Sequence, residues 1–334
     1  MNNISEICIE SISCALPKNH LNILEYAPDL LTEKTANRMA QKTGFESLRI
    51  TPEYMTTSDL IVAAAEPTLS DVELGDIGAI VFVSQTPDYT LPATSHILQK
   101  RLGLSNDVIC LDINEGCSGY ITGLYTASLL SKQLNKKILL AVGDTISKLT
   151  STKDRATRCI FGDAGTVTII NSGISRGGVI SFEFASFGER ADVIITEGYG
   201  NRKIKNPKNG GYLYMDGISI MNFALNEVPY LIQNFLSKNN LNENDVTLYA
   251  CHQANKRILE SLADKLEISR EKLPFISNNI GNESSASIPF LLTKFANSPK
   301  LNKVLCCGFG VGLSVGACIA DFSQTKFYGV VEVE

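Results

Sequence analysis

One plan of alternating apolar runs and helical stretches is written twice in this chain. It constrains the fold more than any other feature. In the first half, an apolar run at 77–83 leads into the turn Gln85-Thr86-Pro87-Asp88 and a helical stretch at 95–102 stopped by Gly103. A second run at 108–111, read as a buried strand, leads into Asp112-Ile113-Asn114-Glu115-Gly116-Cys117-Ser118-Gly119-Tyr120. A helical stretch at 120–130 follows, then a third run at 137–142 ending in Gly143-Asp144. In the second half, 246–251 runs into His252-Gln253-Ala254-Asn255 and a helical stretch at 256–266. A short strand is expected at 275–277. After it come Gly281-Asn282-Glu283-Ser284-Ser285, a helix through 295, and a strand at 304–307 ending in Gly308-Phe309-Gly310-Val311-Gly312. Cys117 precedes Gly143 by 26 positions, and Asn282 precedes Gly308 by the same 26. A period this long marks a duplicated domain rather than a solenoid. Strands alternating with helices imply mixed or parallel sheets with helices on their faces. Runs apolar throughout, such as 77–83, suit strands covered on both sides. The expected fold class is therefore α/β, in two like halves, 1–172 and 173–334.

Other stretches fill in the plan. Residues 4–13 read as a strand and 30–43 as a polar-faced helix ending at Gly44. Thr57-Ser58-Asp59 offers cap chemistry before a helix at 60–65. Residues 157–170 read as a strand interrupted by a tight turn at Phe161-Gly162-Asp163-Ala164-Gly165. The Gly-, Asn- and Lys-rich stretch 198–211 reads as a mobile surface loop.

A chain of 334 residues, 44% hydrophobic, can bury a large core. Its net charge of -5 argues against general nucleic-acid binding. Nine cysteines show no repeated CxxC or Cys/His metal spacing, so no metal and no cofactor is expected. Their number fits a reducing cytoplasm. Residues 1–10 carry Glu6 and Glu10 and no basic segment, unlike a signal peptide. No apolar run approaches the roughly 18 residues of a membrane span.

In sheets of this kind active sites collect at strand carboxyl ends. Cys117, His252 and Asn282 each follow a short apolar run. Cys117 sits where a strand turns into a helix, between Gly116 and Gly119. A helix N-terminus offers free N–H groups and partial positive charge, which favour a thiolate and can hold an oxyanion. Glu115 beside it would oppose a thiolate unless it points away. Histidine can hold or move a proton, and an amide can donate or accept without titrating. Together they suit thioester chemistry: acyl transfer to sulfur, then attack by a carbon nucleophile. Each residue alone also fits a plainer use, as a buried cysteine, a strand-end histidine or a Gly-Asn turn.

Several segments, in order, resemble the beta-ketoacyl-[acyl-carrier-protein] synthase III family of the thiolase superfamily. The resemblance spans about residues 4–322. Gly44-Phe45-Glu46-Ser47-Leu48-Arg49 is similar to TGI-x-x-R, and Thr86-Pro87-Asp88-Tyr89 with Leu91-Pro92 to TPD-x-x-x-P. Cys117-Ser118-Gly119-Tyr120 resembles CSGF, Phe161-Gly162-Asp163 matches FGD, and His252-Gln253-Ala254-Asn255 matches HQAN. Gly281-Asn282 with Ser285-Ala286-Ser287-Ile288-Pro289 resembles GNTSAASIP. Gly308-Phe309-Gly310 with Gly312 and Gly316 resembles GFGGGLTWG.

The resemblance implies a thiolase-like duplicated fold, layered αβαβα with two mixed sheets. It implies a condensing acyltransferase in fatty acid or specialised acyl biosynthesis. Cys117 takes the acyl group from an acyl-CoA or acyl-carrier-protein donor. His252 and Asn282 bind malonyl-acyl-carrier protein and stabilise the enolate left by decarboxylation. The N–H groups of Cys117 and Gly312 hold the acyl oxyanion. Phe161 and Leu91 lie along the acyl channel, Leu91 reaching across a homodimer interface formed near 108–113. Arg257 docks the carrier protein, and Arg155 lies where pantetheine enters. Two other readings stay open: acyl transfer to a small-molecule amine or hydroxyl, and a non-catalytic carrier-protein-binding subunit. Many relatives that start from acyl-CoA carry WI-x-x-RTG. Here there is no Trp, and Lys42-Thr43-Gly44 stands in place of RTG. Lysine lacks the planar fork that grips phosphate, so a carrier-protein donor is expected over a free CoA ester.

Overall fold

The computed structural model describes residues 2–172 and 178–334. Ten strands form its main sheet: β1 (Asn2–Pro17), β2 (Ile77–Val83), β3 (Ile109–Ile113), β4 (Lys137–Asp144), β5 (Ala164–Ser172), β6 (Gly178–Ser186), β7 (Leu248–Cys251), β8 (Val304–Gly310), β9 (Ser314–Ala320) and β10 (Lys326–Val333). The main helices are α1 (Glu33–Thr43), α2 (Thr57–Leu69), α3 (Thr94–Arg101), α4 (Gly119–Leu134), α5 (Gly217–Lys238), α6 (Lys256–Lys265) and α7 (Ser287–Lys294).

The duplication is visible in the strand order β7-β8-β9-β6-β1-β5-β4-β2-β3. In the first half β2 runs parallel to β4, β4 antiparallel to β5, and β5 antiparallel to β1. In the second half β7 runs parallel to β8, β8 antiparallel to β9, and β9 antiparallel to β6. Each half thus builds its own mixed sheet. The two are continuous because the start of β1 also pairs with β6. The halves interlock as well: β10 returns to run parallel to β1. The boundary at 172/173 falls at the edge of residues 173–177, which lie outside the described residues.

Side-chain alternation explains the layers. In β4, Ile138, Leu140 and Val142 face a central core with α4 and α7, while Leu139 and Ala141 face α2 on the outside. In β8, Val304 and Cys306 face the same central core, while Leu305, Cys307 and Phe309 face α5 and α6. Both faces of each sheet are covered, as the uninterrupted apolar runs require. The result is helix, sheet, helix pair, sheet, helix. The central layer is α4 from one half and α7 from the other.

Four local readings change. Strand β3 is an edge strand, and Ile109 and Leu111 are 44% and 36% exposed rather than buried. Among the described residues its only strand neighbour is β2. Residues 275–277 form no strand, because the Ile276 N–H bonds to the Gln253 side-chain oxygen at 2.8 Å instead of to a ladder. Helix α2 is capped by Thr56, one residue earlier than expected, and the Asp59 carboxylate accepts the Thr56 N–H at 2.7 Å. The strand expected over 157–170 begins only at Ala164. Before it Phe161 makes an isolated parallel bridge to Asn282. This bridge passes Gly162 so close to the Ile280 carbonyl that an added Cβ would stand 1.9 Å from its oxygen. Residues 198–211 are largely exposed and close the strand pair Ile194–Thr196 and Leu213–Met215. Among the described residues, no helix is long and apolar enough to cross a membrane.

Candidate active site

The two halves meet at the start of α4. Cys117 stands in the turn between β3 and α4, facing the end of β8. Gly310 lies there with φ +156°, and a Cβ on it would sit 3.0 Å from the Cys117 sulfur. Only glycine lets β8 approach the sulfur so closely. Cys117 keeps partial access to the surface. Burial nevertheless pushes its thiol up to about 12; the Asp144 carboxylate adds to the rise, and the Ser284 side chain and the Val311 N–H oppose it. Gly312, two residues beyond Gly310, is exposed. Glu115 accepts a hydrogen bond from the Ser118 hydroxyl at 2.6 Å. Asp144, not Glu115, is the carboxylate that acts on the thiol.

His252 follows β7 and is buried. Its N–H bonds to the Cys307 carbonyl at 2.8 Å, which fixes it to β8. Its Nδ1 lies 3.1 Å from the Ser284 carbonyl and 2.9 Å from the Ser287 hydroxyl. A carbonyl only accepts, and the Ser287 hydroxyl already donates to that same carbonyl at 2.8 Å. Nδ1 therefore carries the proton, and Nε2 of the neutral ring carries a lone pair. Burial lowers the His252 pKa to about 4, so the ring is neutral near pH 7.

Asn282 is buried and held on both sides. Its N–H bonds to the Ile160 carbonyl at 2.8 Å, and its carbonyl accepts from Gly162 at 3.2 Å. Its Oδ1 accepts the Ser284 N–H at 2.9 Å. That contact assigns the oxygen and leaves Nδ2 as the amide donor. Nδ2 has one long contact, 3.5 Å, to the Ala254 carbonyl.

Ser284 joins these groups, and the sequence reading passed over it. Its N–H holds Asn282, and its carbonyl holds His252 and Ser287. It does so in a left-handed conformation, φ +51°, uncommon for a residue with a side chain.

The remaining expected residues divide. Phe161 is buried beside Ile146 and Leu213 and pairs with Asn282. Leu91 is 80% exposed and touches no catalytic residue of its own chain in any recorded contact. Arg155 and Arg257 are exposed. No cluster of three or more His, Cys, Asp or Glu that could hold a metal occurs among the described residues.

Five layers in a duplicated plan, with a cysteine at the head of one central helix and a histidine and asparagine from the other half, define a thiolase-like acyl-transferring enzyme. The family described as 3-oxoacyl-[acyl-carrier-protein] synthase III matches residues 111–188, and its C-terminal region matches 236–322. The beta-ketoacyl-[acyl-carrier-protein] synthase III of Lactobacillus helveticus is 32% identical over 294 residues, 85% of this chain and 89% of that protein. The Wolbachia pipientis protein of the same name is 31% identical over 326 residues, 96% of this chain and 100% of that one. The crystal structure of a 3-oxoacyl-(acyl-carrier protein) synthase from Burkholderia xenovorans superposes with a TM-score of 0.94 at 30% identity, covering 99% of this chain and 98% of that one. The chain belongs to the beta-ketoacyl-[acyl-carrier-protein] synthase III family, the acyl-transferring condensing enzymes of fatty acid biosynthesis.

Glu283, where the family motif has threonine, is buried between Asn282 and Ser284. Both its oxygens face the Ser277 hydroxyl, at 2.9 and 3.1 Å. Burial raises its pKa to about 8, so it is mostly protonated at neutral pH. An unfolded glutamate ionises near 4.5, so this burial costs stability increasingly as pH rises from there toward 8. Glu283→Gln removes that dependence. Its stability relative to wild type, from urea unfolding, is expected to improve by on the order of 2–3 kcal/mol between pH 5 and pH 8. A pH-independent difference would mean that Glu283 ionises normally.

Proposed function

We propose that the enzyme loads an acyl group onto Cys117 and condenses it with a malonyl group carried by acyl-carrier protein. In the first step the sulfur bonds to the donor thioester carbon, the donor C–S bond breaks, and the donor thiol leaves. The backbone N–H groups of Cys117 and Gly312 are the donors assigned to the developing oxyanion. In the second step the malonyl C–C bond breaks, carbon dioxide leaves, and the enolate carbon attacks the acyl carbon on Cys117. The new C–C bond forms and the sulfur is released. The Nδ2 group of Asn282 donates to the malonyl thioester oxygen. His252 presents the Nε2 lone pair while neutral and becomes a second donor there only when protonated. The observation that carries this reading is the Ser284 turn, which holds the histidine and the amide in one hydrogen-bonded unit.

Cys117→Ala is expected to abolish acylation and turnover, because the covalent intermediate needs the sulfur. Asn282→Ala should leave acylation largely intact and slow condensation on the order of a hundred- to thousandfold. Intact-mass spectrometry reads the first step and carbon dioxide release from malonyl thioester the second. Acylation without carbon dioxide release would favour transfer to a small-molecule amine or hydroxyl. No acylation at all would favour a non-catalytic subunit.

The reading includes a homodimer. Its support is the open edge of β3, with Ile109 and Leu111 half-exposed, and the 80% exposure of Leu91, an apolar side chain left to solvent in a lone chain. Sedimentation at micromolar concentration is expected to give a dimer. An active monomer would contradict it.

It also includes a carrier-protein donor. Without tryptophan there is no indole face for an adenine, and Lys42 replaces an arginine fork. Arg257 and Arg155 are exposed and free to meet an acidic partner. Matched acyl-carrier-protein and acyl-CoA donors should differ in acylation rate in favour of the former, with the difference shrinking as salt rises. Faster, salt-independent acylation from short acyl-CoA would reverse this assignment.

A further inference from the structure

Asn282 carries the amide donor of the condensing step, and a single residue holds both of its flanks. On one side the Ser277 carbonyl accepts the Gly281 N–H at 3.1 Å and the Ile280 N–H at 3.2 Å. On the other side the Ser277 hydroxyl stands 2.9 and 3.1 Å from the two oxygens of Glu283. The loop 277–283 is thus closed across Asn282 by the backbone and the side chain of the same serine. Gly281 lies inside it at φ +99°, where a Cβ would stand 2.7 Å from the Gly162 nitrogen. The Glu283 carbonyl then accepts the Ala286 N–H at 3.0 Å, spanning the turn at Ser284.

Where the family motif has threonine, a carboxyl closes this clamp, and its protonation decides how well it closes. Glu283 and Ser277 are both fully buried. A hydroxyl has one hydrogen to give. An ionised Glu283 only accepts, so Ser277 can serve one of its oxygens at a time, away from water. An un-ionised Glu283 is joined twice: its O–H donates to the Ser277 oxygen while its other oxygen accepts the Ser277 hydroxyl. The two similar distances suit that paired arrangement.

We propose that Glu283, as an un-ionised acid joined to Ser277, is a positioning residue that holds Asn282 for the malonyl thioester, and that condensation, unlike acylation of Cys117, fails as this acid ionises. The proposal rests on the condensing reading above. Glu283 acts through Ser277 and through the backbone. It is the link between Asn282 and the Ser284 N–H that holds the amide oxygen, so a shift at Glu283 turns the amide. The proton it loses goes to solvent, and the carboxylate left behind no longer fits the clamp.

The charged and titratable groups around the turn separate by pH. The Glu283 N–H and Lys294 of α7 favour the charged form, and burial outweighs both, pushing the carboxyl up to about 8. Lys294 is exposed, over the Phe290 ring. Cys14 of β1 faces Glu283 as a thiol that burial keeps neutral. Asp144 meets the turn through the Ser285 hydroxyl at 3.4 Å, and His252 through the Ser284 carbonyl at 3.1 Å. Burial sets these two at about 6 and about 4, below the range in which Glu283 ionises, and Cys117 at about 12, above it. An un-ionised acid is present below its pKa and lost as pH rises through it.

The half-reactions are followed separately against pH. Acyl mass gained at Cys117 reads the first, and carbon dioxide release from malonyl-acyl-carrier protein by pre-acylated enzyme reads the second. In wild type the second is expected to fall as pH rises through about 8, and the first is not. Glu283→Gln keeps a donor and an acceptor for Ser277 and cannot ionise. It should lose the alkaline limb, so its rate relative to wild type rises about tenfold between pH 7 and pH 9. Ser277→Ala opens the clamp at every pH and should slow condensation on the order of tenfold or more with acylation retained. An alkaline limb that survives in Glu283→Gln, or that appears equally in acylation, would overturn the proposal. So would wild-type condensation by Ser277→Ala. Acylated wild type that releases no carbon dioxide at any pH would instead sink the condensing reading, and this inference with it.

Discussion

The site depends on one turn held in an unfavourable backbone conformation. Ser284 lies at φ +51°, a region that costs a residue with a side chain roughly 1–3 kcal/mol. The surrounding bonds over-determine it. Its N–H is taken by Asn282, and its carbonyl by His252 and Ser287. A right-handed Ser284 would redirect the peptide groups on either side of it. The histidine and the amide would then lose their common anchor. The turn is fixed from outside as well, because Asn282 is laced to Ile160 and Gly162 of the first half.

The electrostatics follow from burial more than from charge pairing. Desolvation raises Cys117, Asp144 and Glu283 and lowers His252, and in each case it is the leading cause. The ion pairs recorded among the described residues involve none of these four groups, and most have at least one partner well exposed. Such pairs contribute little. Buried polar groups without counter-ions are tolerated when hydrogen bonds serve them. Here serine and threonine hydroxyls do that: Ser84, Thr86, Ser277, Ser284 and Ser287. A site built this way favours neutral forms. That suits chemistry in which a charged sulfur and an enolate exist only briefly.

The fold's duplication brings the two half-sites together. Cys117 belongs to the turn before α4 in the first half, and His252 and Asn282 to turns of the second. The two central helices, α4 and α7, share one apolar core between the sheets. Packing there sets how far apart the carboxyl ends of β4, β7 and β8 can be. The glycine at 310 then lets β8 come to the sulfur.

Much of this was written in the linear chain. Apolar runs covered on both faces, the 26-residue spacing repeated in each half, and the Cys117, His252 and Asn282 turns are local patterns, and local patterns survive in sequence. The edge position of β3 was not legible. A strand of Ile, Cys and Leu looks alike whether a helix, another strand or nothing lies beyond it. The missing strand at 275–277 depended on a glutamine side chain occupying a ladder position from 23 residues away. Ser284 and Asp144 are common residue types made unusual by contacts made only in the folded chain, such as His252 to Ser284 and Ser84 to Asp144. The sequence by itself determined most of the strands and helices, the duplication and the three candidate side chains, because periodicity and residue chemistry are properties of neighbours in the chain. Which edge is left open, how the Ser284 turn ties His252 to Asn282 and how deeply each polar group is buried were decided only by tertiary structure, because burial and long-range hydrogen bonds exist only once the halves have packed.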